Sequence, residues 1–100
     1  MAKQVVWSFR AQSDRKEILN YWQQRNKSNF YSKKLNQLFK ESIKIIADFP
    51  QIGKPTDSIN TRVKIVKDYL IIYEETETQI LILTIWDSRQ DPEKLMKILE

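Results

Sequence analysis

Two basic side chains, Arg62 and Lys64, stand two residues apart in a stretch that alternates apolar and charged residues, TRVKIVK. At that spacing in a β-strand they project from the same face of a sheet. Arg89 follows the last apolar run, and in the simplest strand meander all three side chains would form one cationic cluster. The planar fork of arginine can bind two phosphate oxygens, so the spacing predicts a site for phosphate or nucleic acid. The alternative interpretation is that Arg62 and Lys64 are the solvated side of a half-exposed strand.

The residue types that are missing restrict the chemistry further. The chain contains no histidine and no cysteine, which excludes disulfides, thiolate nucleophiles and the side chain best suited to acid–base catalysis at neutral pH. Any catalysis would have to use Arg, Lys, Tyr, Asp or Glu, and we expect neither a metal nor a cofactor. If a phosphate ester is cleaved, Arg62, Lys64 and Arg89 are the catalytic candidates, because they could neutralise the developing negative charge.

Four further residues have two interpretations each. Lys54 lies in a predicted loop, where it either contacts nucleic acid or is simply solvated. Tyr69 and Tyr73 share a strand face; Tyr73 could stack on a base, but packing is the usual role of tyrosine at half-buried strand positions. Asp87 either orients Arg89 or stabilises the turn that follows, and we favour the turn. The predicted nucleic-acid-binding residues are therefore Lys54, Arg62, Lys64, Tyr73 and Arg89.

The first half of the chain predicts one strand and two helices. KQVVWS has the composition of a short strand, and Ser8 can cap a helix that runs to about residue 26. Ser28 is the predicted cap of a second helix, which runs to about Asp48. Its inner stripe is predicted by residues that recur at steps of three and four: Tyr31, Leu35, Leu38, Ser42, Ile45 and Phe49. Helices joined by so few residues form an antiparallel hairpin. Two prolines and a glycine then predict a loop over residues 49–60, with no regular element.

The second half predicts three strands in an antiparallel meander: TRVKIVK, YLIIYEE and QILILTIW. The last run is apolar at both its odd and its even positions, which point to opposite faces of a strand, and this suggests an inner strand covered on both faces. Asp91 then caps a short final helix with Leu95, Ile98 and Leu99 on its apolar side. The predicted fold is α+β with the order βααβββα, a small antiparallel-dominated sheet packed on a two-helix hairpin, in a single domain over residues 1–100.

Charge and hydropathy indicate where such a chain works. The net charge is +4, which favours an acidic partner, either nucleic acid or an acidic protein surface. Charged residues interrupt the N-terminal segment, and no later run approaches the roughly 18 apolar residues of a membrane span. We therefore expect a cytoplasmic protein that does not bind membranes.

Four segments, in the order given, resemble the RelE/ParE superfamily of toxins from bacterial type II toxin–antitoxin modules. VVWSFRAQSDRKEILNYW is similar to the family's opening strand and first helix, and FPQIGKP to the loop after its second helix. RVKIVKDYLIIYE resembles its arginine-bearing strand and tyrosine-bearing strand, and ILTIWDSRQDP its last strand, which ends in an arginine. Together these segments cover about 90 residues, and their order is the feature that carries the resemblance.

The resemblance implies a growth-inhibiting toxin with one of two targets. One branch of the superfamily, ParE, poisons DNA gyrase; another, RelE, cleaves mRNA on the ribosome. The ribonuclease branch usually has an arginine after the tyrosine that opens the third strand, where this chain has Leu70, and other ribonucleases use a histidine or tyrosine near the C-terminus, which is absent here. The comparison therefore favours a gyrase poison slightly; an inactive member or a basic nucleic-acid-binding module is a further alternative.

The resemblance also implies a protein partner, the cognate antitoxin, in a toxin–antitoxin hetero-oligomer. An acidic antitoxin would be attracted to the basic chain and held by apolar anchors. The outer surfaces of Trp22, Tyr31 and Phe39 and the second face of ILILTIW are candidate surfaces for it. For that second face the alternative is that the C-terminal helix covers it.

Overall fold

The computed structural model describes residues 2–91 and 93–95. These residues form a sheet of five strands that is covered on one face by two long helices. The strands are arranged in the order β1-β5-β4-β3-β2; β1 is parallel to β5, and all other neighbours are antiparallel. The predicted α+β class is confirmed. In chain order the elements are β1 (Gln4–Trp7), α1 (Phe9–Asn26), α2 (Phe30–Asp48), β2 (Lys54–Pro55), β3 (Thr61–Val66), β4 (Tyr69–Glu75) and β5 (Gln79–Asp87).

Helix α1 begins where the sequence predicts because Ser8 serves both the helix and the sheet. Its Oγ accepts the backbone N–H of Ala11 at 3.0 Å and donates to the carbonyl oxygen of Leu83 at 2.8 Å. A serine cap stabilises a helix by about 1 kcal/mol. The helix ends before Lys27, whose backbone is left-handed with φ 50°. Ser8 thus fixes the start of α1 over β5, which positions the cleft described below.

Helix α2 supplies the largest apolar side chains on the helical side of the core. Leu35, Phe39 and Ile46 are completely buried, and the ring of Phe39 meets that of Tyr69 edge-on with the centroids 5.8 Å apart. Burying a side chain of this size stabilises the fold by about 1.5–3 kcal/mol. The stripe predicted from the three- and four-residue spacing is wrong except at Leu35. Tyr31 and Leu38 are only half-buried and Ile45 is 40% exposed, so the inner face of the helix is rotated by about one residue from the predicted one.

Two local predictions are corrected. The N-cap of helix α2 is Asn29, whose side chain makes no capping hydrogen bond. The predicted cap, Ser28, lies one residue before it, and its hydroxyl accepts the backbone N–H of Phe30 at 3.2 Å. The segment 49–60 contains a short strand, Lys54–Pro55, which pairs with Val63 and Arg62 of β3. A two-residue strand has no side-chain alternation to reveal it, and a proline is tolerated there because the strand lies at an edge.

A bulge in β5 turns part of that strand toward α1. Ile72 of β4 pairs with Thr84, but the next residue, Tyr73, pairs with Ile82, so Leu83 is an extra residue in β5. An extra residue bends a strand and changes the direction of the side chains beside it. Thr84 is completely buried as a result and reaches a carboxylate on α1.

The predicted final helix lies only partly within the described residues. Residues 93–95 are helical, and Asp91 accepts the backbone N–H of Glu93 at 2.9 Å, as expected for its cap. The predicted apolar residues Ile98 and Leu99 lie outside the described residues.

Candidate functional site

An open cleft of about 420 Å³ lies where α1 passes the ends of β4 and β5. Its walls come from α1, from the first residue of β4, from the end of β5 and from the residues that follow β5. Aromatic, cationic and acidic side chains meet in it. The lining residues are Arg10, Asp14, Glu17, Ile18, Tyr21, Tyr69, Ile85, Trp86, Asp87, Arg89 and Gln90.

Asp14 ties α1 to β5 at the inner wall of this cleft. Its Oδ2 accepts hydrogen bonds from the hydroxyl of Thr84 and from the backbone N–H of Ile85, the latter at 3.2 Å. Arg10, one turn earlier on α1, places its Nε 3.8 Å from the same oxygen. The Asp14 side chain is only 16% exposed. It therefore positions the helix, and the sequence signal for it is a carboxylate on the inner, otherwise apolar face of α1.

Arg89 stands at the rim of the cleft in a two-bond pair with Asp87. Its Nε donates to Oδ1 of Asp87 at 3.0 Å and its Nη2 to Oδ2 at 2.9 Å, and its backbone N–H also donates to Oδ1 at 2.9 Å. The guanidinium lowers the pKa of Asp87, whose carboxylate raises the pKa of Arg89 in return. The arginine side chain is 56% exposed. The pair thus holds an accessible guanidinium in a fixed orientation.

Tyr69 forms part of the cleft floor. It is 3% exposed, and its hydroxyl accepts the indole N–H of Trp22 at 2.7 Å. Burial raises the pKa of Tyr69, and the bond from Trp22 opposes that shift in part. The tyrosine therefore links β4 to the end of α1 and stays protonated at neutral pH.

The charges in the cleft are nearly balanced. Two cations, Arg10 and Arg89, face three carboxylates, those of Asp14, Glu17 and Asp87. A groove for a polyanion carries a clear excess of positive charge. Mixed charges beside tyrosine and tryptophan are instead typical of surfaces that bind proteins.

The structure does not bring the three predicted catalytic cations together. Arg62 pairs with Tyr73 across β3 and β4, whereas the residue that holds Arg89, Asp87, pairs with Tyr69. These two tyrosines are about 13 Å apart along β4 at about 3.3 Å per residue, and Arg62 and Arg89 therefore lie at opposite ends of the sheet. Lys64 pairs with the middle of β4 and is half-buried. The expected cluster is not formed.

Arg62 and Tyr73 are used within the fold. Nη1 of Arg62 donates to the carbonyl oxygens of Gly53 at 2.8 Å and Gln51 at 3.3 Å. The hydroxyl of Tyr73 donates to the carbonyl oxygen of Pro50 at 2.7 Å and accepts the N–H of Gly53 at 3.0 Å. Tyr73 is completely buried, and burial raises its pKa. The packing role holds for Tyr73, which has no surface to offer to a base.

The remaining predicted residues divide between surface and core. Lys54 is exposed in β2. Trp22 and Tyr31 are half-buried and meet edge-on, with ring centroids 4.9 Å apart. Phe39 is completely buried, so it cannot offer an outer surface to a partner. It lies on the core side of α2 with Leu35 and Ile46, and not on the outer side where the sequence placed it. Trp22 and Tyr31 keep accessible edges.

The described residues, 2–91 and 93–95, contain neither a metal-binding group nor a membrane-spanning helix. No three of their His, Cys, Asp or Glu side chains are grouped so that they would hold a metal ion. None of their helices has the length and apolar composition needed to cross a membrane.

Comparison with known proteins places the chain in a family. A family model described as the ParE toxin of the type II toxin–antitoxin system parDE matches residues 5–92. Among solved structures, the fold is similar to a chain of the chromosomal ParDE TA system from P. aeruginosa, with a TM-score of 0.73 and 17% identity over 84% of this chain and 94% of that one. No curated protein sequence matches significantly. Because the family model spans most of the sequence, the chain belongs to the ParE toxin family of type II toxin–antitoxin systems.

Proposed function

We propose that this toxin stops growth by binding DNA gyrase in the cytoplasm, and not by cleaving RNA. The observation that carries the proposal is the separation of Arg62 from Arg89 at opposite ends of the sheet. A metal-independent ribonuclease needs its charged groups around one phosphate. The gyrase activity implied by the ParE branch needs only a complementary surface.

The acid–base groups of the described residues support the same choice. The chain has no histidine, and the hydroxyl of Tyr73 is committed to Pro50 and Gly53. Tyr69 is 3% exposed and its pKa is raised, so its hydroxyl stays protonated at neutral pH and cannot act as a general base. Neither tyrosine is poised to take a proton from a ribose hydroxyl.

The cleft beside Arg89 is the surface that we assign to the target. Arginine and tyrosine are among the residues that most often dominate binding energy at protein interfaces, and the cleft contains the exposed side chains of Arg89 and Tyr21. Its balanced charges suit a folded protein. The Asp87 carboxylate holds the Arg89 guanidinium in place, which reduces the side-chain entropy lost on binding.

An antitoxin is the second partner, as expected of a ParE family toxin. We propose that it contacts the exposed edges of Trp22 and Tyr31, which lie beside the hydroxyl of Tyr69. An acidic antitoxin would approach a chain of net charge +4 quickly through electrostatic attraction. Binding there would also obstruct the neighbouring cleft, which would explain neutralisation in a hetero-oligomer.

A supercoiling assay tests the proposal. Purified toxin is titrated into gyrase, relaxed plasmid and ATP, and in parallel into translating ribosomes with a labelled message. We expect loss of supercoiling at toxin concentrations that leave the message intact. Ribosome-dependent cleavage of the message with supercoiling unaffected would contradict the proposal and return Lys64 and Arg89 to consideration as catalytic residues.

A further inference from the structure

Positive charge is concentrated in the helical hairpin. Residues 9–48 contain nine of the 17 Lys and Arg residues and four of the 13 Asp and Glu residues, which gives the hairpin a net charge of +5. The rest of the chain, including the sheet, has a net charge of −1 in a total of +4. A separation of this kind creates a directional field, and a polyanion would approach the helical side of the molecule.

The hairpin also presents an open groove between α1 and α2, distinct from the cleft at the end of β5. It has a volume of about 1000 Å³. Three cations line it, Arg15, Lys16 and Lys40, against a single carboxylate, Glu17. None of these cations forms an ion pair with another described residue. The guanidinium of Arg15 is the one that is held in place, 4.7 Å from the centre of the Trp7 ring.

The remaining lining of this groove is polar and rich in hydrogen-bond donors. Only Phe9 and Leu19 are apolar, whereas an amphipathic helix from a protein partner needs a continuous row of apolar contacts. Side-chain amides and hydroxyls beside lysine and arginine are instead the groups that proteins use to contact the phosphates of nucleic acids. The polar lining residues are Gln12, Ser13, Asn20, Gln23 and Asn36.

The length of α1 suits a polyanion of high charge density. Helix α1 has 18 residues and is therefore about 27 Å long at about 1.5 Å per residue. A DNA duplex carries one negative charge per about 1.7 Å of its axis, so cations on both helices can each meet a different phosphate. Lys16 on α1 and Lys40 on α2 lie on opposite sides of the groove.

We infer that the groove between α1 and α2 binds the phosphate backbone of double-stranded DNA. The groove offers charge and hydrogen-bond donors without a base-reading element, so binding is independent of sequence. The choice of DNA over RNA rests on the proposed gyrase target, whose substrate is duplex DNA. In that complex the groove would hold the DNA while the cleft beside Arg89 contacts the enzyme.

The test measures binding of a labelled DNA duplex in the absence of gyrase over a range of salt concentrations. The double variant Lys16→Gln, Lys40→Gln removes two phosphate contacts, and we expect the slope of log affinity against log salt to decrease by about 1.8, with at least about a tenfold loss of affinity at low salt. The matched control is Lys67→Gln, Lys94→Gln, which removes the same charge outside the hairpin. It should keep the wild-type slope, and circular dichroism checks that all variants are folded.

Three outcomes of the comparison between variants and ligands would overturn the inference. Equal weakening in the groove and control variants would mean that only net charge matters. A larger loss for Lys54→Gln, Lys64→Gln would place the nucleic-acid site on the sheet. Tighter binding of an RNA duplex or of polyglutamate than of DNA would identify a different class of ligand.

The same variants separate this inference from the proposed target. If wild-type toxin binds DNA through Lys16 and Lys40 but leaves gyrase supercoiling intact, the proposed target is wrong and the groove still binds DNA. If the toxin inhibits gyrase and has no measurable affinity for the duplex, the groove inference is wrong and the target is unaffected.

Discussion

The two ends of the sheet contain the same pair of residue types but use them differently. At one end Arg62 and Tyr73 direct their polar atoms to main-chain groups of Pro50 and Gly53 in the loop before β2. At the other, Arg89 is held by a single carboxylate beside an open cleft, with Tyr69 in its floor. The difference is the loop before β2. Where this loop packs over the sheet, its main-chain groups take up the hydrogen-bonding capacity of the arginine and the tyrosine. Residue type and strand face therefore do not by themselves identify a functional arginine.

The largest effect should come from filling the space around Gly53, at the end of the sheet where the loop before β2 packs. A Cβ on Gly53 would lie 2.6 Å from the hydroxyl oxygen of Tyr73 and 2.9 Å from the carbonyl oxygen of Val63. We expect Gly53→Ala to lower the free energy of unfolding by about 3 kcal/mol, the upper range for overpacking. Thermal unfolding measures it. In a Tyr73→Phe background the additional loss should be smaller, because the closest contact is gone; strict additivity would contradict this account.

The next effect separates the two tyrosines. Tyr73→Phe leaves the N–H of Gly53 and the carbonyl of Pro50 without their partner in a buried place, which should cost about 2 kcal/mol. Tyr69→Phe removes only an acceptor for the indole of Trp22, and water from the neighbouring cleft can replace it at a cost of about 0.5–1 kcal/mol. Urea unfolding of both variants measures the two losses in the free energy of unfolding. Equal losses would mean that the two ends of the sheet are equally shielded from water, which would contradict the comparison.

Replacing the two arginines should have opposite consequences, a loss of activity for Arg89 and a loss of stability for Arg62. Arg89→Gln should raise the toxin concentration for half-inhibition of gyrase about tenfold, as for an important interface arginine, and leave the melting temperature close to that of the wild type. Arg62→Gln should lower the melting temperature, because it frees the carbonyl oxygen of Gly53, and keep the inhibition of the folded fraction. The reverse pattern would place the functional site at the loop end.

The smallest effect concerns acid pH. The bonds from Arg89 depress the pKa of Asp87, so the pair contributes stability above the unfolded value of about 3.9 and loses it as the pH falls through the lower folded value. Asp87→Asn should therefore flatten the dependence of melting temperature on pH below about pH 4. An unchanged dependence would show that the pair contributes nothing in solution.

Regular patterns in the sequence predicted most of the fold. The Ser8 cap, the two helices and the three-strand meander all follow from local spacing and propensity. The stripe predicted for α2 shares only Leu35 with the fully buried face of that helix. Strand β2 and the extra residue Leu83 could not be predicted, because they depend on main-chain pairing and leave no pattern of side chains.

The candidate site was harder to predict, for a different reason. Arg62 and Lys64 do share a strand face, but spacing along one strand says nothing about which loop folds over its end. The anchoring role of Asp14 depends on Thr84, 70 residues away. Phe39 shows the same limit, because the predicted stripe placed the inner face of α2 elsewhere and only the packing of the sheet shows that Phe39 belongs to the core.

The most direct test of a gyrase-directed toxin is to induce the chain in bacteria without an antitoxin and follow DNA and protein synthesis separately by pulse labelling. We predict that DNA synthesis and supercoiling fail first, and that Arg89→Gln delays this failure while Lys67→Gln does not. If translation stops first and messages are cut, the toxin is a ribonuclease and the proposed target is wrong.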